Sequence, residues 1–232
     1  MRNAMQNLLG ATCLMLAVQA AQAVPVNYVF NGTSVGEFNA ANGPVATTIY
    51  SGTTSISGGF TYDDAAPVLG LSPVQGYNGA LFTTYNGGFS DFSLTVAGQT
   101  ATVDQGVGLV GNNVAITGTV TPIDVLLGYA DSAYPTAGFS GFQVGNWILS
   151  SLAFVFFNNS SAYADASLPD TLTANSTALE MFYTNTTGQV QKVRYFLNAV
   201  TEVPVDVPEP PVFLLTALGM AGLWLRRRMD RA

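Results

Sequence analysis

The chain has 232 residues, of which 48% are hydrophobic and 9% are charged; it has no histidine and a single cysteine. This length and apolar content predict one folded domain and exclude a chain that is disordered throughout. Residues 24–206 carry two basic and twelve acidic side chains, a net charge of −10, so phosphates and anionic headgroups would repel them. Nucleic-acid binding is therefore excluded.

The N-terminal segment, residues 1–23, has the pattern of a secretory signal peptide. Arg2 supplies the positive start, residues 8–18 form an apolar run, and Ala21 and Ala23 complete an A-x-A site. Signal peptidase accepts small side chains at these two positions, which predicts a signal helix that is cleaved after Ala23.

The body, residues 24–203, predicts β-strands because its apolar residues recur with a period near two. The stretch SSLAFVFF (residues 150–157) is apolar on both faces, as expected for a strand covered on both sides. Elsewhere alternate side chains are expected to share one face: Ile56, Gly58, Phe60 and Tyr62; Phe92, Leu94 and Val96; Val193, Tyr195, Leu197 and Ala199.

Short strands separated by Gly/Asn turns predict an all-β fold, an antiparallel β-sandwich or jelly-roll-like body. A barrel of the outer-membrane kind is the rival architecture, and irregular strand lengths without a repeated aromatic girdle argue against it. Residues 63–78 and 131–145 are expected to form long loops, and loops of this length often carry function.

The residues needed for common catalytic sites are scarce. Histidine is absent and Cys13 would be lost with the leader, which removes the Ser-His-Asp and Cys-His arrangements. A Ser-Lys pair would need Lys192, which is expected to face solvent on an alternating strand. We therefore predict that the protein is not an enzyme and needs no cofactor.

Adjacent carboxylates at Asp63 and Asp64 are the candidate metal ligands, because Ca²⁺ prefers hard oxygen ligands. As a carboxylate pair for glycoside cleavage they are unsuited, since neighbours on a strand point to opposite faces. The 63–78 loop supports an alternative function, a carbohydrate- or calcium-binding module using Tyr77 or Tyr85. The aromatic residues of this region are expected mainly to form core. A secreted hydrolase that relies on carboxylates alone is a third, weaker alternative.

The C-terminal tail differs from the body. Residues 204–211 form a Pro-rich linker, residues 212–225 are uncharged and mostly apolar, and residues 226–232 are basic. A fourteen-residue helix is about 21 Å long, shorter than the hydrocarbon core of about 30 Å. The apolar segment is nevertheless predicted to be a membrane helix, because Arg226, Arg227 and Arg228 follow it directly. Positive charge on the cytoplasmic side places the β body outside the cell.

The order Val207-Pro208-Glu209-Pro210, short apolar helix and terminal arginine cluster resembles the PEP-CTERM sorting signal of Gram-negative bacteria. The resemblance covers about 26 residues and implies processing by exosortase, a membrane-embedded transpeptidase-like enzyme. It also implies export to the cell surface or the extracellular space and an association with exopolysaccharide and biofilm. The expected partners are exosortase, signal peptidase, the inner membrane before processing and extracellular polysaccharide.

Overall fold

A computed structural model of the chain describes residues 25–39, 42–45, 49–74, 77, 79–115, 121–132, 139–160, 162–163 and 165–204. The predicted signal peptide, the sorting motif, the apolar segment and the terminal arginines lie outside these residues. No helix occurs in the part of the chain that the structure describes, which confirms the all-β prediction for the body.

Ten antiparallel strands occur among the described residues. They are β1 (Val26–Asn39), β2 (Ser55–Tyr62), β3 (Val68–Pro73), β4 (Leu81–Val96), β5 (Gln99–Val114), β6 (Ile123–Asp131), β7 (Gln143–Val144), β8 (Trp147–Asn159), β9 (Ser176–Asn185) and β10 (Val190–Glu202).

Eight of the strands close into one barrel, in the order β2-β1-β10-β9-β8-β6-β5-β4 and back to β2. The closing pair is β2 and β4, which pair from Ile56↔Val96 to Tyr62↔Phe89. The sandwich prediction is therefore wrong, because one sheet curls until its two edges meet instead of packing against a second sheet. Closure satisfies the backbone groups that two open edges would leave unpaired.

The interior of the barrel is filled by the side chains that alternation assigned to one face. Phe60 lies at its centre, with its ring centroid 4.9 Å from that of Phe154 and 5.4 Å from that of Phe89. Such spacings are typical of tilted aromatic pairs, each worth about 1 kcal/mol beyond burial. The described interior is thus a packed core.

One of the predicted alternations fails near the end of β10. Val193 and Tyr195 are buried as expected, but Ala199 is exposed. The pairing with β1 shifts between Asn31↔Ala199 and Gly32↔Leu197, so β10 has an additional residue at this point. This β-bulge reverses the side-chain order beyond it, which the sequence pattern does not reveal.

The inner-strand prediction for residues 150–157 is confirmed. Phe154 and Phe156 of β8 point into the barrel, while Val155 belongs to a second apolar cluster on the outside. The outer cluster also contains Phe82, and Tyr77 packs against it. Both faces of β8 are therefore covered.

The long loop predicted for residues 63–78 is only partly a loop, because it contains β3. This strand pairs with the first half of β4, from Val68↔Tyr85 to Pro73↔Leu81. The sequence pattern did not predict β3 because the strand contains Gly70 and Pro73, and both residue types are uncommon in strand interiors. The second predicted loop, residues 131–145, likewise contains the short strand β7.

The first and last strands of the barrel are neighbours, and both described termini leave from one end. Tyr28 of β1 pairs with Glu202 of β10, and the Val203 N–H donates to the Asn27 carbonyl at 2.8 Å. We call this the terminal end of the barrel. The opposite end, where β1 finishes, is called the Glu37 end.

Candidate functional site

The Glu37 end carries a carboxylate held by the backbone. Glu37 Oε2 accepts a hydrogen bond from the Ile49 N–H at 2.5 Å, and Oε1 accepts one from the Tyr50 N–H at 2.8 Å. Charge-assisted bonds of this kind are stronger than neutral ones, and they hold the segment that begins at Ile49 against the core at this end of the barrel. Both oxygens are engaged, so the geometry makes Glu37 a support for this segment rather than a free general base.

A layer of tyrosine hydroxyls lies below that carboxylate. The hydroxyl oxygens of Tyr50 and Tyr183 are 2.7 Å apart, and that of Tyr195 is 3.0 Å from Thr54 Oγ1. Burial raises the pKa of all three tyrosines, and the negative charge of Glu37 raises each pKa further. The pKa of each phenol therefore lies above its ordinary value of 10.0, and the three close this end with a protonated, hydrogen-bonded layer.

An open cavity of about 490 Å³ adjoins this layer on the outer side. Its lining includes Ser34, Glu37, Phe38, Tyr50 and Thr53. The volume suits a small ligand, and the lining combines apolar surface with hydroxyls. No sequence motif marks this cavity, because Glu37 and Tyr50 come together only through the fold.

The terminal end is covered by residues 162–163 and 165–173. The Tyr62 hydroxyl donates to the Pro169 carbonyl at 2.6 Å, and that of Tyr85 donates to the Ala166 carbonyl at 2.7 Å. Leu168 of the same segment is buried and belongs to the core cluster. The mouth is thus covered by chain on this side as well.

Asp124 also holds the segment that covers the terminal end. Its buried carboxylate accepts the N–H groups of Asn113 and Tyr163, both at 2.8 Å. Asn158 adds a bond from its Nδ2 to the Thr173 carbonyl at 2.7 Å. These buried polar groups have hydrogen-bond partners, as buried polar groups in stable proteins generally do. Their hydrogen bonds hold the covering segment in place at the terminal end.

The candidate calcium ligands Asp63 and Asp64 lie at the end of β2, near this cover. Asp63 Oδ1 accepts the Ala65 N–H at 3.0 Å, a local turn contact. Burial raises the pKa of Asp64, and the neighbouring charges of Asp170 and Asp63 raise it further. Among the residues that the structure describes, no group of three or more potential ligands is placed to hold a metal. Calcium binding at Asp63 and Asp64 stays a prediction.

The tyrosines of the alternative carbohydrate site are withdrawn from the surface. Tyr85 is buried, and partly buried Tyr77 packs edge-on against Phe82 with ring centroids 5.0 Å apart. Phe89 and Phe92 are interior core residues, which confirms the expectation that the aromatic residues of this region form core. A sugar-stacking platform needs an exposed ring face, which buried Tyr85 does not present; a platform that uses Tyr77 stays a prediction.

Lys192 contradicts the expectation that it faces solvent, since it is only 5% exposed. Its Nζ lies 2.8 Å from Glu180 Oε2, and the Arg194 guanidinium binds Glu180 Oε1. Phe182 and Phe38 shield the two cations, with ring centroids 5.7 Å from Lys192 Nζ and 5.0 Å from Arg194 Cζ. Alternation correctly placed Lys192 on the outer face, but it could not show that aromatic side chains cover it.

Replacing Glu180 by Gln is expected to destabilise the fold by about 3 kcal/mol, because it leaves two shielded cations without their common anion. Denaturant unfolding of the variant and of the parent chain measures this difference. Glu202→Gln, at an exposed glutamate near the end of β10, is the matched control and should change the free energy of unfolding little. Equal effects of the two substitutions would contradict the ion-cluster interpretation.

The predicted sorting residues Val207 to Pro210, the arginines Arg226 to Arg228 and the leader residues Ala21 and Ala23 all lie outside the described residues. Within the part of the chain that is described, no helix has the length and apolar character needed to cross a membrane. Comparison of the whole chain with protein-family models, with curated proteins and with solved structures finds no match.

Proposed function

We propose that the chain is an exported, non-enzymatic barrel module that a Gram-negative bacterium presents at its surface or in its extracellular polysaccharide. In this proposal signal peptidase removes residues 1–23, and an exosortase-type enzyme processes the tail at Val207-Pro208-Glu209-Pro210. The apolar segment 212–225 holds the precursor in the inner membrane, and Arg226 to Arg228 orient it.

One observation carries the proposal beyond the sequence. Every described strand pairing lies between Val26 and Glu202, and these two strand ends are close neighbours at the terminal end. All of these described pairings remain available when residues 1–23 and the tail are removed. A removable leader and a removable tail require a body whose strand pairing can be made between Val26 and Glu202, and the described barrel is of this kind.

The processing test is intact mass spectrometry of the protein from its native host. The expected product begins at Val24 and lacks Arg226 to Arg228. A Pro208→Ala, Glu209→Ala double variant should keep the tail, because it removes the central residues of the motif.

Pro211→Ala is the matched control, since it changes a neighbouring proline outside the motif and should leave processing intact. A product that begins at Val24 and retains the three arginines in the parent chain would overturn the sorting proposal and leave a plain membrane anchor.

A further inference from the structure

Four asparagines of the chain are followed directly by glycine: Asn31, Asn42, Asn78 and Asn86. In such a pair the backbone nitrogen of the glycine can attack the side-chain amide carbon of the asparagine, because no Cβ obstructs the approach. The attack needs a rotation of the backbone between the two residues and a glycine N–H that can give up its proton, so the fold decides which pairs react. Asn78 lies outside the described residues, and the other three pairs can be compared.

The first pair lies in a strand that has partners on both sides. Gly32 of β1 is opposite Leu197 of β10 and Ile56 of β2. A Cβ added at Gly32 would lie 2.5 Å from the Phe196 carbonyl oxygen, which shows how closely the neighbouring backbone approaches. Rotation between Asn31 and Gly32 would therefore break pairing on two edges, and local opening of this kind costs free energy.

The second pair is held by hydrogen bonds. The Gly43 N–H donates to Asn39 Oδ1 at 2.8 Å, so the nitrogen that would attack is already engaged. The Asn42 N–H donates to the Asn39 carbonyl at 3.0 Å, and Asn42 Oδ1 accepts a hydrogen bond from the Arg194 guanidinium at 3.4 Å. Both reacting groups of this pair therefore have partners.

The third pair lies in an irregular part of β4. The register with β5 shifts between Asn86 and Ser90, and Gly87 has no paired residue on β2, β3 or β5. Gly87 has a φ of 74°, and a Cβ added there would meet no atom within 4 Å. Asn86 is exposed, and its side-chain amide has no hydrogen-bond partner among the described residues. Rotation between Asn86 and Gly87 therefore breaks no register pair of Gly87.

We propose that Asn86 is a site of spontaneous modification, at which the folded protein converts asparagine into aspartate and isoaspartate. The Gly87 nitrogen loses its proton and forms a bond to Asn86 Cγ, while the Cγ–Nδ2 bond breaks and Nδ2 leaves as ammonia with that proton. Water, the sole co-reactant, then opens the cyclic imide. Opening at Cγ gives aspartate, and opening at the backbone carbonyl carbon gives isoaspartate, in which the main chain runs through Cβ and Cγ.

The modification adds a carboxylate to a stretch that has none, because residues 65–90 carry no charged side chain. Asp63 lies close by, since its N–H donates to the Gly88 carbonyl at 3.1 Å, so the new charge adds repulsion to this part of an acidic body. The ammonia is lost, and the modified fraction therefore rises with the age of the molecule. This inference goes beyond the proposed sorting and is independent of it, because it concerns only described residues of the body.

The first test is incubation of the full chain in detergent solution at neutral and at mildly alkaline pH, followed by proteolysis and mass spectrometry. Digestion in water enriched in a heavy oxygen isotope marks any product that forms during the digestion itself. Aspartate and isoaspartate should accumulate at position 86 at least about tenfold faster than at positions 31 and 42, where reaction needs local opening. The rate should rise with pH, because the attacking nitrogen must lose its proton.

Two variants and the unfolded chain are the controls. Asn86→Gln should abolish the reaction at this position, because the longer side chain forms a larger ring slowly, and it should leave the rates at Asn31 and Asn42 unchanged. Asn39→Ala removes the acceptor of the Gly43 N–H and should raise the rate at Asn42 several-fold. In denaturant the three rates should become similar, since each asparagine is followed by glycine and the fold no longer protects any of them.

Two results would overturn the inference. One is a folded chain in which Asn86 reacts no faster than Asn31 or Asn42. The other is product at position 86 that carries only the heavy isotope, since it would then have formed during digestion. Thermal unfolding of the Asn86→Gln and Asn39→Ala variants verifies that both are folded.

Discussion

Raising the pH above about 10 is expected to unfold the barrel cooperatively within about one to three pH units. The structure places many tyrosines where burial raises the pKa of the phenol above its ordinary value of 10.0. They are Tyr28, Tyr50, Tyr62, Tyr77, Tyr85, Tyr163, Tyr183 and Tyr195.

The sign of the effect follows from proton linkage. A tyrosine with a raised pKa keeps its proton in the folded state when the unfolded chain has already lost it, so the folded state binds more protons above pH 10. Stability is then fully present below pH 10 and is lost as the pH rises above it. The four strongest shifts belong to Tyr62, Tyr77, Tyr183 and Tyr195, and together they give a slope of about 5 kcal/mol per pH unit. Ordinary domain stabilities of about 5–15 kcal/mol are exhausted within a few pH units.

The measurement pairs tyrosinate absorbance with circular dichroism during an alkaline titration. Ionisation of the buried tyrosines should coincide with loss of β structure. Tyr183→Phe is the control: it lowers stability at neutral pH by about 1 kcal/mol through the lost contact with Tyr50, and it reduces the alkaline slope by about 1.4 kcal/mol per pH unit. Tyrosines that ionise near pH 10 in a barrel that stays folded would refute the expectation.

Substituting Gly58 by Ala is expected to cost at least about 3 kcal/mol and to weaken the seam of the barrel. Gly58 lies opposite Leu94 in the closing pair of β2 and β4. An added Cβ would lie 2.1 Å from the Ser93 carbonyl oxygen and 2.9 Å from the Leu94 Cα. These are backbone atoms, so relief requires the two strands to move apart.

Denaturant unfolding gives the size of this effect, and amide hydrogen exchange gives its location. Exchange should rise most in β2 and in the half of β4 from Phe89 to Val96 that pairs with it. Ser57→Ala, at the exposed neighbouring position, is the matched control and should be nearly neutral. A Gly58→Ala chain as stable as the Ser57→Ala chain would show that the seam does not need this glycine.

Much of the core could be predicted from alternation, because a strand with one buried face repeats its apolar residues every second position. Phe60, Tyr62, Phe92 and Leu94 all occupy the interior as expected. The prediction failed at Ala199, where a bulge adds one residue to β10. Bulges depend on the partner strand, so a single strand's pattern does not contain them.

The candidate site was less accessible to sequence reasoning. Glu37 meets the N–H groups of residues twelve and thirteen positions further on, and Tyr50 meets Tyr183 across the barrel mouth. The strand pattern predicts that Lys192 is exposed, and only the structure shows that Phe182 and Glu180 lie beside it. Each of these contacts joins residues whose separation along the chain carries no regular signal.

The sequence by itself determined the all-β class, the faces of most strands and the chemical character of both ends, because these depend on local composition and on periods of two. It also supplied the leader and the VPEP tail, on which the proposed export and processing rest. Only the tertiary structure decided that one sheet closes into a barrel. Closure depends on the pairing of β2 with β4, which no property of either strand alone predicts. The same closure brings the start of β1 and the end of β10 to one end of the barrel and leaves β3 paired with β4 alone among the described strands, so this arrangement follows from long-range strand pairing.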